Sequence, residues 1–416
     1  MKTPEITGFL SAIDLRPDTV NRLGHDMDRL EPQTARDLSD YVRRNYKIDF
    51  TCSYAGIEIP HPFGKGAGQL SMSPDHVRSD FENGLAFTVM KSAVGITEDG
   101  DVGIDAWEKS APKMVVEKRR AMDGRDGWTV TWKGRGWDRG FDAYGQFYKS
   151  VIGEHGSGYL VVPSLMVDVT NLDRATEQVK HCMGRLVDTH KSANSSMPFI
   201  VEIDISPTLN LLPGSESDST FREFVRNSVT AFRIGHPQPH KFVVKIPNAG
   251  RGPEFQVQLV KDSIEISGNR LAAIIIGNRL FDKNGEFEGQ KGIAYGGWDL
   301  SDANLETLDL LLKSDLKIPL IATGNICSGR MMVEYALRGC MSGEIHTFFQ
   351  LPPESYRAQK GSGGRVWRAV RELMFHPDDG LIAVMKKLRQ SGHLREENEM
   401  LYFKDLPGIY NDVVNG

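Results

Sequence analysis

The chain has 416 residues, of which 40% are hydrophobic, 9% aromatic and 25% charged. This composition is typical of a globular protein with a large core and excludes disorder as the main state. Fifty Lys and Arg residues against 55 Asp and Glu give a net charge of −5. This charge argues against a nucleic-acid-binding protein, because such proteins use Lys and Arg at phosphates. It argues in the same way against an enzyme that acts on tRNA.

The same features predict where the protein works and what it binds. Its N-terminus lacks the profile of a signal peptide, and its apolar runs fall far short of the roughly 20 residues of a membrane span. The four cysteines are widely spaced, which indicates reduced thiols and neither a zinc nor an iron–sulfur site. We therefore expect a cytoplasmic protein with no bound metal, no stable membrane insertion and a small-molecule substrate.

The first elements in the chain are helical. Apolar residues such as Leu10, Ile13, Val20 and Leu23 recur at helical spacing, which predicts helices over residues 5–46 within an N-terminal preface, residues 1–49. Residues 50–59 alternate between apolar and polar around Ala55-Gly56, which predicts a short hairpin.

From residue 50 to 350, short apolar runs alternate with amphipathic stretches. Eight runs read as buried strands: 63–67, 85–91, 159–163, 199–205, 242–246, 272–276, 318–322 and 343–346. The stretches with helical spacing are 175–189, 220–234, 254–267, 305–312 and 330–338. Eight strand–helix units predict an α/β fold, a (β/α)8 TIM barrel over residues 50–350.

A doubly wound sheet is the rival of this prediction. It needs a Gly-x-Gly-x-x-Gly turn after its first strand, and residues 64–69 have the wrong spacing for it. After the barrel, Trp367, Val370 and Leu373 lie at helical spacing, which predicts a C-terminal helical extension over residues 351–416.

In such a barrel the reacting groups lie at the carboxyl ends of the strands. The last two strands end in residues that can present backbone N–H groups, and a helix starting near Arg330 would add its positive end. We therefore expect a phosphate cradle there, made of Thr323, Gly324, Asn325, His346 and Thr347.

Lysines close two other strands. Burying Lys91 or Lys245 at a strand end is costly without an anionic partner, so the pair indicates a bound anion or an electron-rich ring. Asn278 closes the sixth strand and offers both a donor and an acceptor.

The fourth strand carries acids on one side. Because strand side chains alternate, Glu202 and Asp204 share a face with Ser206. A buried acid needs a partner, and Lys245 on the next strand is the expected one.

Taken in order, these segments resemble the dihydroorotate dehydrogenase family, FMN-dependent (β/α)8 barrels. The similarity is carried by residues 62–68, 86–92, 202–207, 242–247, 276–278, 292–297 and 319–326. The resemblance implies FMN as cofactor and assigns the following residues to it: Ala67, Gly68, Lys91, Ser92, Asp204, Lys245, Asn278, Gly296, Gly297, Thr323, Gly324, Asn325, His346 and Thr347. Residues 14–20 are similar to the entry helices of the membrane-associated class, although residues 9–15 are too polar to promise membrane binding. It also leaves a homodimer open.

The chain departs from the family at the positions that read the substrate. The family's fourth-strand motif begins with Asn, here Asp204, and continues with a Cys or Ser base before Pro. In one register Pro207 occupies the base position and that group is absent; in the other, Ser206 is the base. The predicted catalytic residues are Ser206, as the base, and Lys91, near the flavin or the substrate.

The loop of residues 131–138, which we name the third-site loop because it corresponds to a third position where the family reads its substrate, differs as well. Residues 131–138 contain no Asn where the family has one, and they bring large groups instead: Trp132, Arg135, Trp137, Asp138 and Arg139. The predicted substrate contacts are Trp132, Asn210 and Asn278. The loop either packs a bulkier or anionic ligand over the flavin or forms a Trp–Arg stack that covers the rim of the barrel.

Each buried group left without its partner costs about 1–3 kcal/mol. Losing about two or three such partners would therefore weaken dihydroorotate binding by several powers of ten. The sequence thus predicts an FMN-dependent oxidoreductase that moves a hydride between flavin N5 and a C–C or C–N bond of a small organic molecule other than dihydroorotate. The alternative is a catalytically impaired flavin- or phosphate-binding barrel that serves as a binding or scaffold subunit.

Overall fold

The computed structural model describes residue 10 and residues 13–102, 113–133, 136–137, 139–154, 159–193, 195–287, 289–314, 316 and 318–414. The strands in chain order are β1 (Ile48–Asp49), β2 (Cys52–Tyr54), β3 (Ile57–Ile59), β4 (Phe63–Lys65), β5 (Phe87–Val89), β6 (Ala93–Val94), β7 (Lys113–Arg120), β8 (Asp126–Lys133), β9 (Leu160–Val162), β10 (Ser164–Met166), β11 (Ile200–Asp204), β12 (Lys241–Lys245), β13 (Leu271–Ile275), β14 (Leu280–Phe287), β15 (Gln290–Tyr295), β16 (Leu320–Thr323), β17 (Cys340–Ile345) and β18 (Leu401–Tyr402).

The α-helices in chain order are α1 (Pro17–Arg29), α2 (Ala35–Tyr46), α3 (Pro74–Glu82), α4 (Phe141–Glu154), α5 (Leu172–Ser192), α6 (Asp218–Gly235), α7 (Pro253–Ser267), α8 (Trp298–Leu312), α9 (Gly329–Leu337), α10 (Arg365–Phe375), α11 (Leu381–Gln390) and α12 (Tyr410–Val414). None of the helices in the described part of the chain combines the length and apolar character of a membrane span.

The chain divides into two compact units. The first contains Met1–Lys65, Ser79–Phe87 and Pro319–Gly416, and the second contains Gly66–Arg78 and Thr88–Ile318. Both units are α/β, and in both the central strands pair in parallel.

In the first unit, β16, β17 and β4 pair side by side in that order. The hairpin β2–β3 is antiparallel, as the sequence predicts. Helices α1 and α10 pack together, and Trp367 on α10 is fully buried with its indole N–H donated to the Leu30 carbonyl at 2.8 Å. The helical preface and the helical C-terminal segment therefore share one core.

In the second unit, β6, β10, β11, β12 and β13 pair in that order, all in parallel. Every residue of β13 is buried. Strands of a parallel sheet are covered on both faces, which is why the sequence of β13 is a continuous apolar run. Helices α5, α6, α7 and α8 pack in chain order. Their polar ends are capped in places, as where the Asn171 side chain accepts the Arg174 N–H at 3.0 Å at the start of α5.

A strand overlaps each of the eight predicted runs, and a helix overlaps each of the five predicted helical stretches. Two antiparallel hairpins, β7–β8 and β14–β15, were not predicted. They interrupt the strand–helix rhythm. In β7 the adjacent Val115 and Val116 are followed by charged residues, so its alternation is weak, whereas β8 alternates Trp128, Val130 and Trp132 with Thr129 and Thr131.

Candidate functional site

Three predicted site residues of the second unit, Asp204, Lys245 and Asn278, lie where β11, β12 and β13 end. In the parallel register Asp204 lies opposite Lys245, the last residue of each strand. Asn278 follows β13, and its backbone N–H donates to the Ile246 carbonyl at 2.8 Å. Because the carboxyl ends of parallel strands lie on one edge, these side chains converge, as the sequence predicts.

Asp204 is the centre of the first group of contacts. Its Oδ2 accepts the Ser92 hydroxyl at 2.6 Å, and its Oδ1 accepts the Asn278 side-chain amide at 3.2 Å. The carboxyl is half-buried, so it remains within reach of a ligand. Three of the predicted cofactor residues are thus in direct contact.

Glu202 is the centre of the second group. It is fully buried on β11, where its Oε1 lies 3.4 Å from Lys245 Nζ and accepts the Ser164 hydroxyl at 3.0 Å. Lys245 is only 4% exposed. The predicted pairing of the buried acid with the lysine of the next strand is therefore confirmed.

Lys91 follows β5 and is half-buried. Its backbone N–H donates to the Ser71 carbonyl at 3.0 Å. Burial lowers the pKa of its ammonium, Asp204 opposes that shift, and the positive charges of Arg279 and Lys245 add to it. Lys91 therefore belongs to the same cluster of charges.

Sequence reasoning missed Arg279, which directly follows Asn278. Its guanidinium donates to the Val130 carbonyl at 2.6 Å, and burial lowers its pKa to about 10 while Asp204 acts in the opposite direction. The sequence shows an Arg directly after the strand end. Its contact with Val130 on β8 depends on a hairpin that the pattern did not predict.

Close packing sets the backbone before Asn278. Gly277 has a φ of +64°, and a Cβ there would lie 1.8 Å from Asn304 Oδ1. The Asn304 side chain donates to the Gly277 carbonyl at 3.0 Å and accepts from Asn248 at 3.0 Å. Glycine is required because both the conformation and the space exclude a side chain.

The loop after β4 enters the second unit at Gly66. Gly68 donates its N–H to Ser71 Oγ at 3.1 Å, and the Ser71 hydroxyl donates to the Gly68 carbonyl at 2.9 Å. Because the Ser71 carbonyl accepts the Lys91 N–H, this loop, with Ala67 half-buried on it, is tied to the charged cluster.

The predicted glycine-rich loop 292–297 is a loop only at its end. Residues up to Tyr295 belong to β15, and Gly296 and Gly297 directly precede α8. The Gly296 N–H donates to Thr129 Oγ1 on β8 at 2.8 Å. Hairpin pairing replaces a free loop here, because Leu280–Phe287 supplies a partner strand.

The third-site loop is also partly regular. Trp132 lies on β8 opposite Met114; its side chain lies outside the described part of the structure, as do Arg135 and Asp138. Trp137 is 4% exposed, stacks on Phe147 with 5.4 Å between ring centroids, and has the Arg139 guanidinium 5.0 Å from its own ring. For Trp137 and Arg139 this matches the predicted Trp–Arg stack, with Trp137 serving packing.

Ser206 and Asn210 lie just beyond β11. Both are half-buried, and a 3-10 turn, Pro207–Leu211, begins directly after Ser206. The Ser206 carbonyl accepts the Leu209 N–H at 3.1 Å. The roles of Ser206 as base and Asn210 as substrate contact stay predictions.

The predicted phosphate residues belong to the first unit, at the ends of β16 and β17. Gly324 and Asn325 have positive φ angles of 94° and 53°, and the Tyr335 hydroxyl lies 2.9 Å from the carbonyls of both Thr323 and Gly324. His346 follows β17, and Thr347 starts a 3-10 turn. The predicted phosphate residues therefore follow two neighbouring strands, and their role in binding a phosphate stays a prediction.

The start of α9 does not fit the prediction of a free helix end. The Arg330 N–H donates to the Asp379 carbonyl at 2.8 Å, and the Met331 N–H donates to Ser328 Oγ at 3.2 Å. Gly329 lies so close to Leu381 that a Cβ would approach its backbone nitrogen to 1.9 Å. Two N-terminal amides of α9 are thus already occupied, and the predicted phosphate contacts are left to the residues that follow β16 and β17.

Comparison with known proteins adds no assignment: no family model matches the chain, and no curated protein matches its sequence.

Proposed function

We propose that the protein is an FMN-dependent oxidoreductase, similar to the dihydroorotate dehydrogenase family, that transfers a hydride between flavin N5 and a C–C or C–N bond of a small organic substrate other than dihydroorotate. One observation carries this proposal. Lys91, Ser92, Asp204, Lys245 and Asn278, predicted from separate segments, belong to one cluster of contacts and charges at the strand ends of the second unit.

The charges of this cluster suit a flavin. Lys91, Lys245 and Arg279 carry three positive charges against the two carboxylates of Glu202 and Asp204, which leaves an excess of one. A two-electron reduction places negative charge at the pyrimidine edge of the flavin, and a fixed cation beside that edge stabilises the reduced form. We assign Lys245 to this edge and Lys91 to the flavin or the substrate.

The remaining assignments follow the sequence. Ala67, Gly68, Gly296 and Gly297 would line the flavin, and Thr323–Asn325 with His346 and Thr347 would hold its phosphate. This assignment goes with the proposal that the predicted strands form one closed (β/α)8 barrel, which places reacting groups at a common end of the strands.

The substrate assignment rests on what replaces the family's amides. Asp204 presents a carboxylate where the family has Asn, and residues 131–138 contain no Asn where the family's loop carries one. A site built for one set of hydrogen bonds rejects ligands that leave its groups unpaired. The substrate class therefore differs from dihydroorotate.

The visible spectrum of the purified protein tests the flavin. We expect the yellow colour of bound FMN, or saturable quenching of FMN fluorescence when FMN is added to colourless protein. Protein that neither carries nor takes up FMN would refute the proposal. FMN without its phosphate, riboflavin, serves as the matched ligand and is expected to bind more weakly.

The second candidate is a flavin- or phosphate-binding subunit without turnover. Pro207 favours it, because a Pro occupies the position after Ser206 where the family's base would follow. Photoreduction of the bound flavin followed by a screen of candidate oxidants separates the two: fast, saturable reoxidation by any organic compound excludes the binding subunit.

A further inference from the structure

Two carboxyl groups of β11 are joined by two serine hydroxyls. Ser92 Oγ lies 2.6 Å from Asp204 Oδ2, Ser164 Oγ lies 3.0 Å from Ser92 Oγ, and Ser164 Oγ lies 3.0 Å from Glu202 Oε1. All three distances are those of hydrogen bonds between oxygens. The four side chains, Asp204–Ser92–Ser164–Glu202, form what we name the serine relay.

The hydrogens of the relay can be counted. Three oxygen–oxygen contacts need three hydrogens, but each serine hydroxyl supplies one and an ionised carboxylate supplies none. With both acids ionised, the single hydrogen of Ser164 has two acceptors, Ser92 and Glu202. One more proton, on either carboxyl, gives every contact its own hydrogen.

The two ends of the relay differ in access and in charge. Asp204 is half-buried, whereas Glu202, Ser92 and Ser164 are fully buried. Protons therefore enter at Asp204. The charged groups near this end are Lys91 and Arg279, and Lys245 lies 3.4 Å from the Glu202 end.

We propose that the serine relay takes up one proton at Asp204 and shares it with Glu202, so that Asp204 is the proton acceptor of the site. This inference rests on the proposed dehydrogenation for its chemical role. Ser206 is a poorer acceptor, because a neutral hydroxyl is a very weak base and must first lose its own proton to another base before it can take one near neutral pH.

The step balances as follows. A C–H proton of the substrate passes to Asp204, and the electron pair of that bond forms the new double bond with the adjacent atom, which loses its hydride to the FMN that the function requires. The Asp204 proton then moves to Ser92, the Ser92 hydrogen to Ser164, and the Ser164 hydrogen to Glu202. Asp204 is again a carboxylate, and neutral Glu202 no longer offsets the positive charge of Lys245.

Isotope-edited infrared titration of the full-length protein tests the relay. Protonated carboxyls give a C=O band that carboxylates lack, and labelling with ¹³C-Asp or ¹³C-Glu separates the two residue types. Asp204→Asn and Glu202→Gln identify the two bands by their loss. We expect the Asp204 and Glu202 bands to rise at one common midpoint and to sum to one proton.

Ser164→Ala removes one hydroxyl and retains the backbone contacts of Ser164 with Tyr144. It is expected to split the common midpoint into two separate ones, whereas Ser164→Thr keeps a single midpoint. The matched control is Ser263→Ala, a fully buried serine of α7 whose hydroxyl donates to the Leu259 carbonyl, which should change nothing. If Ser164→Ala does not fold, Ser92→Ala cuts the relay at the other hydroxyl.

Two unrelated midpoints in the wild-type protein, or a titration that is unchanged when the relay is cut, would overturn the proposal. The titration is made on protein without added flavin, so its result does not depend on FMN binding. A protein with a common midpoint but no affinity for FMN would keep the relay and lose the proposed oxidoreductase.

Discussion

Each unit contains a lysine at the end of a strand that is paired with a buried carboxylate. In the first unit Lys65 ends β4 and contacts Asp80 on α3; they are 2% and 0% exposed. In the second unit Lys245 ends β12 and lies 3.4 Å from Glu202, and these are 4% and 0% exposed. By sequence and burial alone the two pairs are alike.

Their surroundings separate them. Lys65 Nζ also lies over the Phe349 ring, 5.5 Å from its centroid, in a buried setting. Glu202 instead continues through two hydroxyls to the half-buried Asp204. The Lys65–Asp80 pair is buried on both sides and holds structure, whereas the Lys245–Glu202 pair is linked to a half-buried group and can exchange a proton with a ligand.

The largest expected effect comes from breaking the Lys65–Asp80 pair. Lys65→Met leaves the Asp80 carboxylate buried without this partner, which costs about 3–5 kcal/mol of the free energy of unfolding. Chemical denaturation measures it. The double variant Lys65→Met with Asp80→Leu removes both charges and should recover most of the loss. A single variant as stable as the wild-type protein would show that the pair is not what holds β4 to α3.

The next effect concerns the backbone that sets Asn278. Gly277→Ala should cost about 2–5 kcal/mol, since a left-handed Ala costs about 1–2 and overpacking about 1–3. Gly392→Ala is the control, because Gly392 has a φ of +84° after the end of α11 but open space around its Cβ position. Equal losses in thermal or chemical unfolding would mean that the contact with Asn304 is relaxed at no cost.

The third effect sharpens the functional side of the comparison. Lys245→Ala removes the charged donor that we assign to the flavin edge, and a hydrogen bond to a charged group is worth about 1.5–3 kcal/mol. FMN affinity should fall by about 10- to 100-fold. Fluorescence titration measures it, with Lys241→Ala, the exposed first residue of the same strand, as control. Unchanged affinity would place the flavin edge elsewhere.

Much of this arrangement could be predicted from the sequence. Buried parallel strands are short apolar runs, so β11, β12 and β13 stand out, and strand alternation placed Glu202 and Asp204 on one face. The pairing of Glu202 with Lys245 followed, because a buried acid needs a neighbour of opposite charge.

Other parts could not be predicted, for two physical reasons. Ser164 and Arg279 act through contacts with groups that are distant in sequence, and no local pattern encodes such contacts. Strand β7 has Lys, Arg and Glu among its apolar residues, so its period of two is obscured. Strand β8 does alternate between apolar residues and Thr, but its partner strand could not be recognised from the pattern. The occupied start of α9 depends on Gly329 approaching Leu381, 52 positions later in numbering.

The smallest expected effect is a pH dependence that Lys91 contributes. Burial lowers the pKa of Lys91 in the folded protein, so between that lowered pKa and the unfolded value of about 10.4 the unfolded chain holds a proton that the folded protein has released. The free energy of unfolding therefore rises with pH across this window, by at most about 1.4 kcal/mol per pH unit. Below the window the full cost of burying the charge is present.

Denaturation curves of the wild-type protein and of Lys91→Met, measured from neutral to alkaline pH, isolate this contribution. The difference in the free energy of unfolding between them should change in favour of the wild-type protein as the pH rises. Lys180→Met, at an exposed position of α5, is the control and should give a difference that does not depend on pH. A flat difference for Lys91→Met would mean that the ammonium is well solvated, which would remove Lys91 from the cluster that the proposed function needs.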